Sequence, residues 1–421
     1  MIENHAGTAT LKQLINRRIG VVVFLGFASG LPLALSRGTL QAWMTVENVD
    51  LATIGLFSLV ATPYTLKFLW APFLDRYLPP WLGRRRGWMF LFQAGLLAFI
   101  AAMSFSSLAS APGAVALMAL VIATLSASQD IVTDAYRTDV LKEPERGAGA
   151  AVFVTGYRVA MLVSGALALV LADHVGWRMT YLIMAALMTM GIAATLVGPE
   201  PEERFRPPAT MEEAVMGPLK EFFGRSGAWA FLGLIVLYKL GDAFAGSLTT
   251  AFLIRGSGFS LSEVGLINKG LGLGATIAGA LFGGVLFARL GLYRSLMAFG
   301  VLQAVSNLSF MVLAMAGKSY VLMVFAVGFE NIAGGMGTAS FVAFLMALCD
   351  HRFTATQYAL LSALAAIGSV YAGPASGVLA KEFGWAVFFF LTFLAALPGL
   401  GLLWRMKPVV KGLEHAKRPA A

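Results

Sequence analysis

Of 421 residues, 58% are hydrophobic and only 13% charged, with 46 glycines, a balance that excludes a soluble globular domain and points to a polytopic membrane protein. The formal charge of +9 would suit a nucleic-acid binder, but its distribution along the chain argues otherwise. The single cysteine, Cys349, excludes an internal disulfide or a cysteine metal cluster, and His5, His174, His351 and His415 are too scattered for zinc, so neither metal nor cofactor is expected.

Apolar segments of about 20 residues or more, enough to cross a bilayer, recur at 19–41, 51–73, 87–107, 113–137, 148–172, 178–198, 228–250, 262–289, 293–315, 319–347, 354–380 and 385–406. They predict an all-α integral membrane protein with 12 transmembrane helices. The first is too long for a signal peptide and no clear cleavage site follows, so it reads as an uncleaved helix. Basic residues crowd alternate loops, among them Arg84, Arg85 and Arg86, Lys142 and Arg146, and Lys407 and Lys411. The opposite loops hold only Arg178, Arg255, Lys318 and Lys381 of the chain's 31 Lys and Arg. That asymmetry places both termini in the cytoplasm. The charge therefore reports topology, and no nucleic-acid partner is expected.

The chain also matches itself. SGALALVLADHVGW at 164–177 and AGPASGVLAKEFGW at 372–385 share six of fourteen positions at an offset of 208, and LATIGLFSLV at 51–60 aligns with LSEVGLINKG at 261–270 at an offset of 210. A polar stretch beginning PEPEERFRPPATMEE separates the sixth and seventh segments. The expected organisation is a six-helix bundle over 1–198, a cytoplasmic linker over 199–227 and a second six-helix bundle over 228–421. Two pseudo-symmetric six-helix repeats are the organisation of the major facilitator transporters, whose central site is exposed alternately to each side. The loop APFLDRYLPPWLGRRRGW resembles the loop signature of those transporters through Ala71, Asp75, Arg76, Gly83, Arg84 and Arg85. Asp75 and Arg76, with Arg137, are read as a conformational latch; Arg84, Arg85 and Arg86 are read as anchors on the positive side.

Nine charged residues fall inside the apolar segments: Arg37, Lys67, Asp130, Asp134, Arg158, Lys239, Asp242, Lys269 and Glu330. At roughly 3 kcal/mol each on a lipid-facing helix centre, they would cost on the order of 27 kcal/mol. They are expected to face one another or a wet cavity, as a polar translocation path requires. In SASQDIVTDAYR at 126–137, Asp130 and Asp134 stand at i and i+4 on one helix face. Asp130, Asp134 and Glu330 are the candidate proton-coupling carboxylates; Asp134 has the alternative of a salt bridge to Arg137, and Glu330, beside Asn331, that of a helix-packing site relieved by a hydrogen bond. Lys239 and Asp242 lie on one stripe of YKLGDAFAGSLTT and either contact substrate or neutralise each other. Arg37 and Gln41 share a face of the first segment, and Tyr64 and Tyr157 offer flat rings suited to sugars. With Lys67, Gln129, Arg158, Lys269 and Asn331, these complete the candidate substrate contacts. Five bases against four acids favour an anionic solute.

Several longer phrases carry a more specific resemblance. GFASGLPLALSRGTLQAWMTVENVDLATIGLFSLV at 26–60, KFLWAPFLDRY at 67–77, SQDIVTDAYRTDVL at 128–141, GYRVAMLVSG at 156–165 and LYKLGDAFAGSLTTAFLIRG at 237–256 resemble the AmpG family of muropeptide permeases. Arg37 departs from it, since a small or hydroxylic residue is usual there. The resemblance implies a bacterial inner-membrane importer that brings N-acetylglucosaminyl-1,6-anhydro-N-acetylmuramic acid and its peptides from periplasm to cytoplasm with protons, in peptidoglycan recycling and beta-lactamase induction. No nucleophile with a paired base, histidine cluster or metal-ligand spacing stands in the sequence, so a carrier and no enzyme is expected, and a monomer. Two alternatives remain open at this level: an acetyl-CoA-type transporter of the same superfamily, and a membrane enzyme acting on cell-wall precursors.

Overall fold

The computed structural model describes residues 17–77, 79–108, 111–141, 146–200, 220, 222–224, 227–349 and 354–415. Most of the expected linker and His5 and His351 lie outside the described residues, as do the side chains of Asp75 and Arg76. Among the described residues the regular structure is helical, without strands. We label the main helices α1 (Arg17–Val46), α2 (Leu51–Leu66), α3 (Arg85–Met103), α4 (Pro112–Val140), α5 (Val152–Val197), α6 (Ala228–Gly256), α7 (Leu261–Leu290), α8 (Leu292–Ala316), α9 (Tyr320–Leu348), α10 (Leu360–Arg405) and α11 (Lys407–His415).

Among the described residues, nine of these are long and apolar enough to cross a membrane; α2 is apolar but shorter. Both α5 and α10 run for 46 residues, about 69 Å at 1.5 Å per residue, against roughly 30 Å of hydrocarbon. Each breaks once, at Gly176 (φ 78°, ψ 165°) and Gly384 (φ 75°, ψ 171°), a left-handed conformation that only glycine adopts without strain.

These two breaks are 208 residues apart, the offset of the sequence repeat. The same offset links Gly83 (φ 78°, ψ 178°), which precedes the helix of α3, to Gly291 (φ 77°, ψ 178°), which precedes α8. The second offset, 210, links the N-caps of α2 and α7: Asp50 accepts from the amides of Ala52 and Thr53, and Ser260 accepts from Glu263 in a capping box. Both backbone turns and caps keep the register of a duplicated chain.

By backbone contacts the chain divides into two compact units, Met1–Leu40 with Val60–Pro207, and Gln41–Leu59 with Pro208–Ala421. In the first, α1 lies close against α5: a methyl on Gly26 would meet the Phe153 carbonyl oxygen, and one on Gly30 that of Tyr157. In the second, α7 and α9 approach in the same way, through Gly279 on the Ile332 carbonyl and Gly283 on Met336. Small residues let helices approach closely where no water drives them together. Around these seams the first unit buries Leu25, Met89, Val132 and Tyr136, and the second Phe231, Tyr238, Phe344 and Leu403.

Candidate functional site

In the first unit α4 is an unbroken helix, so Ser126, Gln129, Asp130 and Thr133 fall on neighbouring positions of one face. Asp130 is half-buried, and Lys67 and Asp134 lie within its electrostatic reach. Tyr64 and Tyr157 lie within electrostatic reach of both Asp130 and Arg37. Three candidate contacts, Tyr64 of α2, Tyr157 of α5 and Lys67 in the turn after α2, thus gather on the carboxylate, and Arg37 of α1 faces the two tyrosines. The Gln129 amide donates to Ser29 at 3.4 Å, and Trp70 donates to Ser128 at 3.0 Å. Among the described residues, the hydroxyls of Tyr64, Ser126 and Thr133 and the Gln129 carbonyl are buried with no partner at full hydrogen-bonding geometry, Tyr64 and Ser126 being close neighbours that do not meet it. Such groups cost about 1–3 kcal/mol each when left unmet, and a polar cargo or water can meet them.

Asp134 and Arg158 are different: both are exposed. Asp134 pairs with Arg137 at 3.2 Å, and the Arg137 guanidinium stacks over Phe153 at 4.4 Å. Asp134 therefore stands as the partner of Arg137, the salt bridge that its i,i+3 spacing allows.

The second unit builds its site on a broken helix. At Lys239 a single turn residue (φ −95°, ψ −1°), still in the right-handed region, interrupts α6 and divides Ala228–Tyr238 from Leu240–Ala251. Interrupted membrane helices free backbone groups and aim side chains into polar paths. Lys239 Nζ lies 3.3 Å from Asp242 Oδ2 and 3.4 Å from Thr338 Oγ1, and 5.8 Å above the Phe341 ring. That ring stacks on Tyr238 at 5.4 Å. The same Asp242 oxygen accepts from the amide of Gln303 on α8. On α9, Asn331 donates to Glu330 at 2.7 Å and accepts from Thr276 at 2.9 Å. Lys269 donates to Thr250 at 3.0 Å, and Glu330 lies within electrostatic reach of Asp242, Lys269 and Lys239. Gln41 donates to the Ser247 carbonyl of α6.

Basic residues recur at π-helical turns, the wide turns that re-aim side chains at functional positions. Arg37 lies in Leu35–Thr39, Arg255 in Phe252–Gly256 and Lys269 in Val264–Leu271. Arg255 uses its turn to donate to the carbonyls of Thr45 at 2.8 Å and Val49 at 2.9 Å, at the end of α1.

Searching for charges missed Gln303, Thr338, Thr276 and Thr250 in the second unit and Ser126 and Thr133 in the first. Gln303 had a signal: its amide interrupts the apolar run LMAFGVLQAV and must be hydrogen-bonded to be buried there. The threonines had none, because a membrane helix satisfies a lone hydroxyl on its own backbone. No group of three or more potential metal ligands occurs among the described residues.

Comparison with known proteins accords with this architecture. Residues 22–329 match the Major Facilitator Superfamily model. The chain is 58% identical to the anhydromuropeptide permease of Escherichia coli K12 over 92% of this chain and 79% of that protein. It is 31% identical to the putative transporter AmpG 4 of Rickettsia felis, over 92% and 95% of the two chains. Two solved structures share the fold alone: the nucleoside transporter NupG (TM-score 0.73, 14% identity, 92% of this chain and 98% of that) and a D-xylose–proton symporter (TM-score 0.73, 10% identity, 92% and 97%). With its family model spanning most of the chain and a relative 58% identical over 92% of it, the protein belongs to the Major Facilitator Superfamily of transporters and, within it, to the family of the anhydromuropeptide permease.

Proposed function

We propose that the protein imports anhydromuropeptides, N-acetylglucosaminyl-1,6-anhydro-N-acetylmuramic acid and its peptide-bearing forms, across the bacterial inner membrane by proton-linked alternating access. The observation that carries the cargo is the 58% identity to the Escherichia coli permease over 92% of the chain. The polar clusters suit such a cargo. Unmet hydroxyl and amide groups of the first unit offer hydrogen bonds to sugar hydroxyls and acetamides, with Tyr64 and Tyr157 as flat neighbours. Lys239 and Lys269 of the second unit offer charge to the carboxylates of the lactyl-peptide stem.

In this reading the chain crosses the membrane twelve times in two six-helix halves, both termini face the cytoplasm, and one copy suffices. Asp130 takes up a proton from the outer side; Glu330 is the second candidate, held by Asn331. Asp75, Arg76 and Arg137 latch the cytoplasmic loops. The family sets aside a membrane enzyme, and within transporters competition by coenzyme A esters separates the acetyl-CoA alternative.

Reconstituted protein in vesicles should accumulate labelled anhydro-disaccharide peptide, recovered unchanged from the lumen, faster when the outside is acidic. Accumulation of coenzyme A esters instead, or of no muropeptide at any gradient, overturns the reading.

A further inference from the structure

The cluster around Asp242 contains a residue whose burial and bonding suggest a task. Gln303 is 3% exposed and donates its amide to Asp242 Oδ2, the oxygen that also faces Lys239 at 3.3 Å. Its place is kept by an absence: a methyl on Gly337 of α9 would fall 2.1 Å from Gln303 Oε1. The amide is thus wedged between α8 and α9 with its NH2 group aimed at the carboxylate. Lys239, by contrast, sits at a turn that interrupts its helix, where Asp242, Thr338 and the face of Phe341 hold it among the described residues. Of the two donors on that oxygen, one is rigidly seated and the other is placed to leave.

An anionic cargo group competing for Lys239 must displace Asp242 from it. Without a second donor, a carboxylate in this half-buried setting would be left with no compensation, which is costly. We infer that Gln303 is the positioning residue of this exchange: it holds the Asp242 carboxylate while the cargo carboxylate takes Lys239, and Asp242 then takes up a proton in place of the departed ammonium. The balance is simple: one anion enters the ion pair, and one proton from the medium neutralises the acid set free. This inference rests on the muropeptide reading and adds to it a cargo requirement, a free carboxylate, at a place where the charge count alone showed only a neutral pair.

Other charges bear on Asp242. Glu330 lies within reach through α9 and itself faces Lys269 of α7, and Tyr238 adjoins from α6 itself. On α10, which packs on the same helix with Gly368 beside Ala243, residues 368–376 carry Tyr371 as their titratable group.

The test uses the full chain, purified in a weakly buffered medium with a pH indicator, and two ligands: an anhydro-disaccharide peptide with free carboxylates and its fully amidated analogue. Wild type should take up protons on binding the free acid and none on binding the amide. Gln303→Met, similar in size but without the amide, should raise the KM for the free acid by about 10- to 100-fold, the worth of a hydrogen bond to a charged group, and leave the KM for the amide unchanged. A merely structural glutamine would shift both alike. Equal proton uptake with both ligands in wild type overturns the exchange even if Gln303→Met does not fold. Equal KM changes overturn the role of Gln303. Failure of wild type to bind either ligand instead overturns the muropeptide reading.

Discussion

Among the described residues of the first unit, four buried polar atoms near Asp130 lack a partner at hydrogen-bonding geometry; in the second, Asp242, Lys239, Gln303 and Thr338 close on one another, as do Glu330, Asn331 and Thr276. Both arrangements keep charge inside apolar helices, yet their energetics differ. An unmet hydroxyl destabilises the empty protein and is released by a ligand; a closed ion-pair network stabilises the empty protein and must be opened by one. The first cluster is suited to recognising neutral polar groups and the second to exchanging charge. Loss-of-function and stability should therefore move together in the second unit and apart in the first.

The largest expected effect is at Asp130. If it carries the coupled proton, Asp130→Asn abolishes gradient-driven accumulation, about tenfold for each unit of pH difference, while exchange of cargo across vesicles at equal pH persists. Uptake that keeps its gradient dependence in this variant would move the coupling to the second unit. Next comes the Lys239–Asp242 pair, whose side chains are 19% and 27% exposed. Lys239→Gln alone should destabilise the solubilised protein by about 2 kcal/mol, below the roughly 3–5 kcal/mol of a fully buried pair. Adding Asp242→Asn should return stability to within about 1 kcal/mol of wild type and leave transport lost. Additive losses in thermal unfolding would show that the pair does not act as one.

Tyr64→Phe sharpens the contrast from the other side. Deleting a buried hydroxyl that has no partner should leave the empty protein as stable as wild type or up to about 1 kcal/mol more so. The same change should raise the KM for cargo by roughly 3- to 10-fold. A loss of stability with unchanged KM would mean that the hydroxyl is satisfied in the resting protein and serves packing alone.

Much of this was legible in the residues because membrane helices advertise themselves: apolar length, alternating basic loops and a 208-residue echo follow from the bilayer and from duplication. The echo returned as geometry at Gly176 and Gly384, where the shared FGW/VGW phrases mark a left-handed turn. The charged members of each cluster were legible for the same reason, since a charge in oil is conspicuous. Their uncharged partners were not. Gln303 meets Asp242 from 61 positions away, and Thr338 meets Lys239 from 99, so no local spacing announces either contact. The break at Lys239 was also hidden, because YKLGDAF has no proline to mark it. Nor did the pattern show that Gln41–Leu59, early in the chain, would pack with the second unit.

That last stretch gives the smallest effect and a clear sign. Asp50 caps α2 and lies 2.9 Å from Lys381 Nζ of α10. The Lys381 ammonium, with the Thr53 and Ala52 amides, holds the Asp50 carboxyl below the usual carboxylate range. A carboxylate depressed in the folded state contributes stability above its ordinary value of about 4 and loses it as pH falls through its folded value. Because the pair is exposed, the contribution is small and screened by salt. Thermal unfolding of wild type and Asp50→Asn should therefore differ slightly at neutral pH in low salt, and the difference should vanish on acidification. A gap that survives at low pH would assign the effect of Asp50 to its shape at the helix cap, with the ion pair to Lys381 contributing nothing to holding 41–59 against α10.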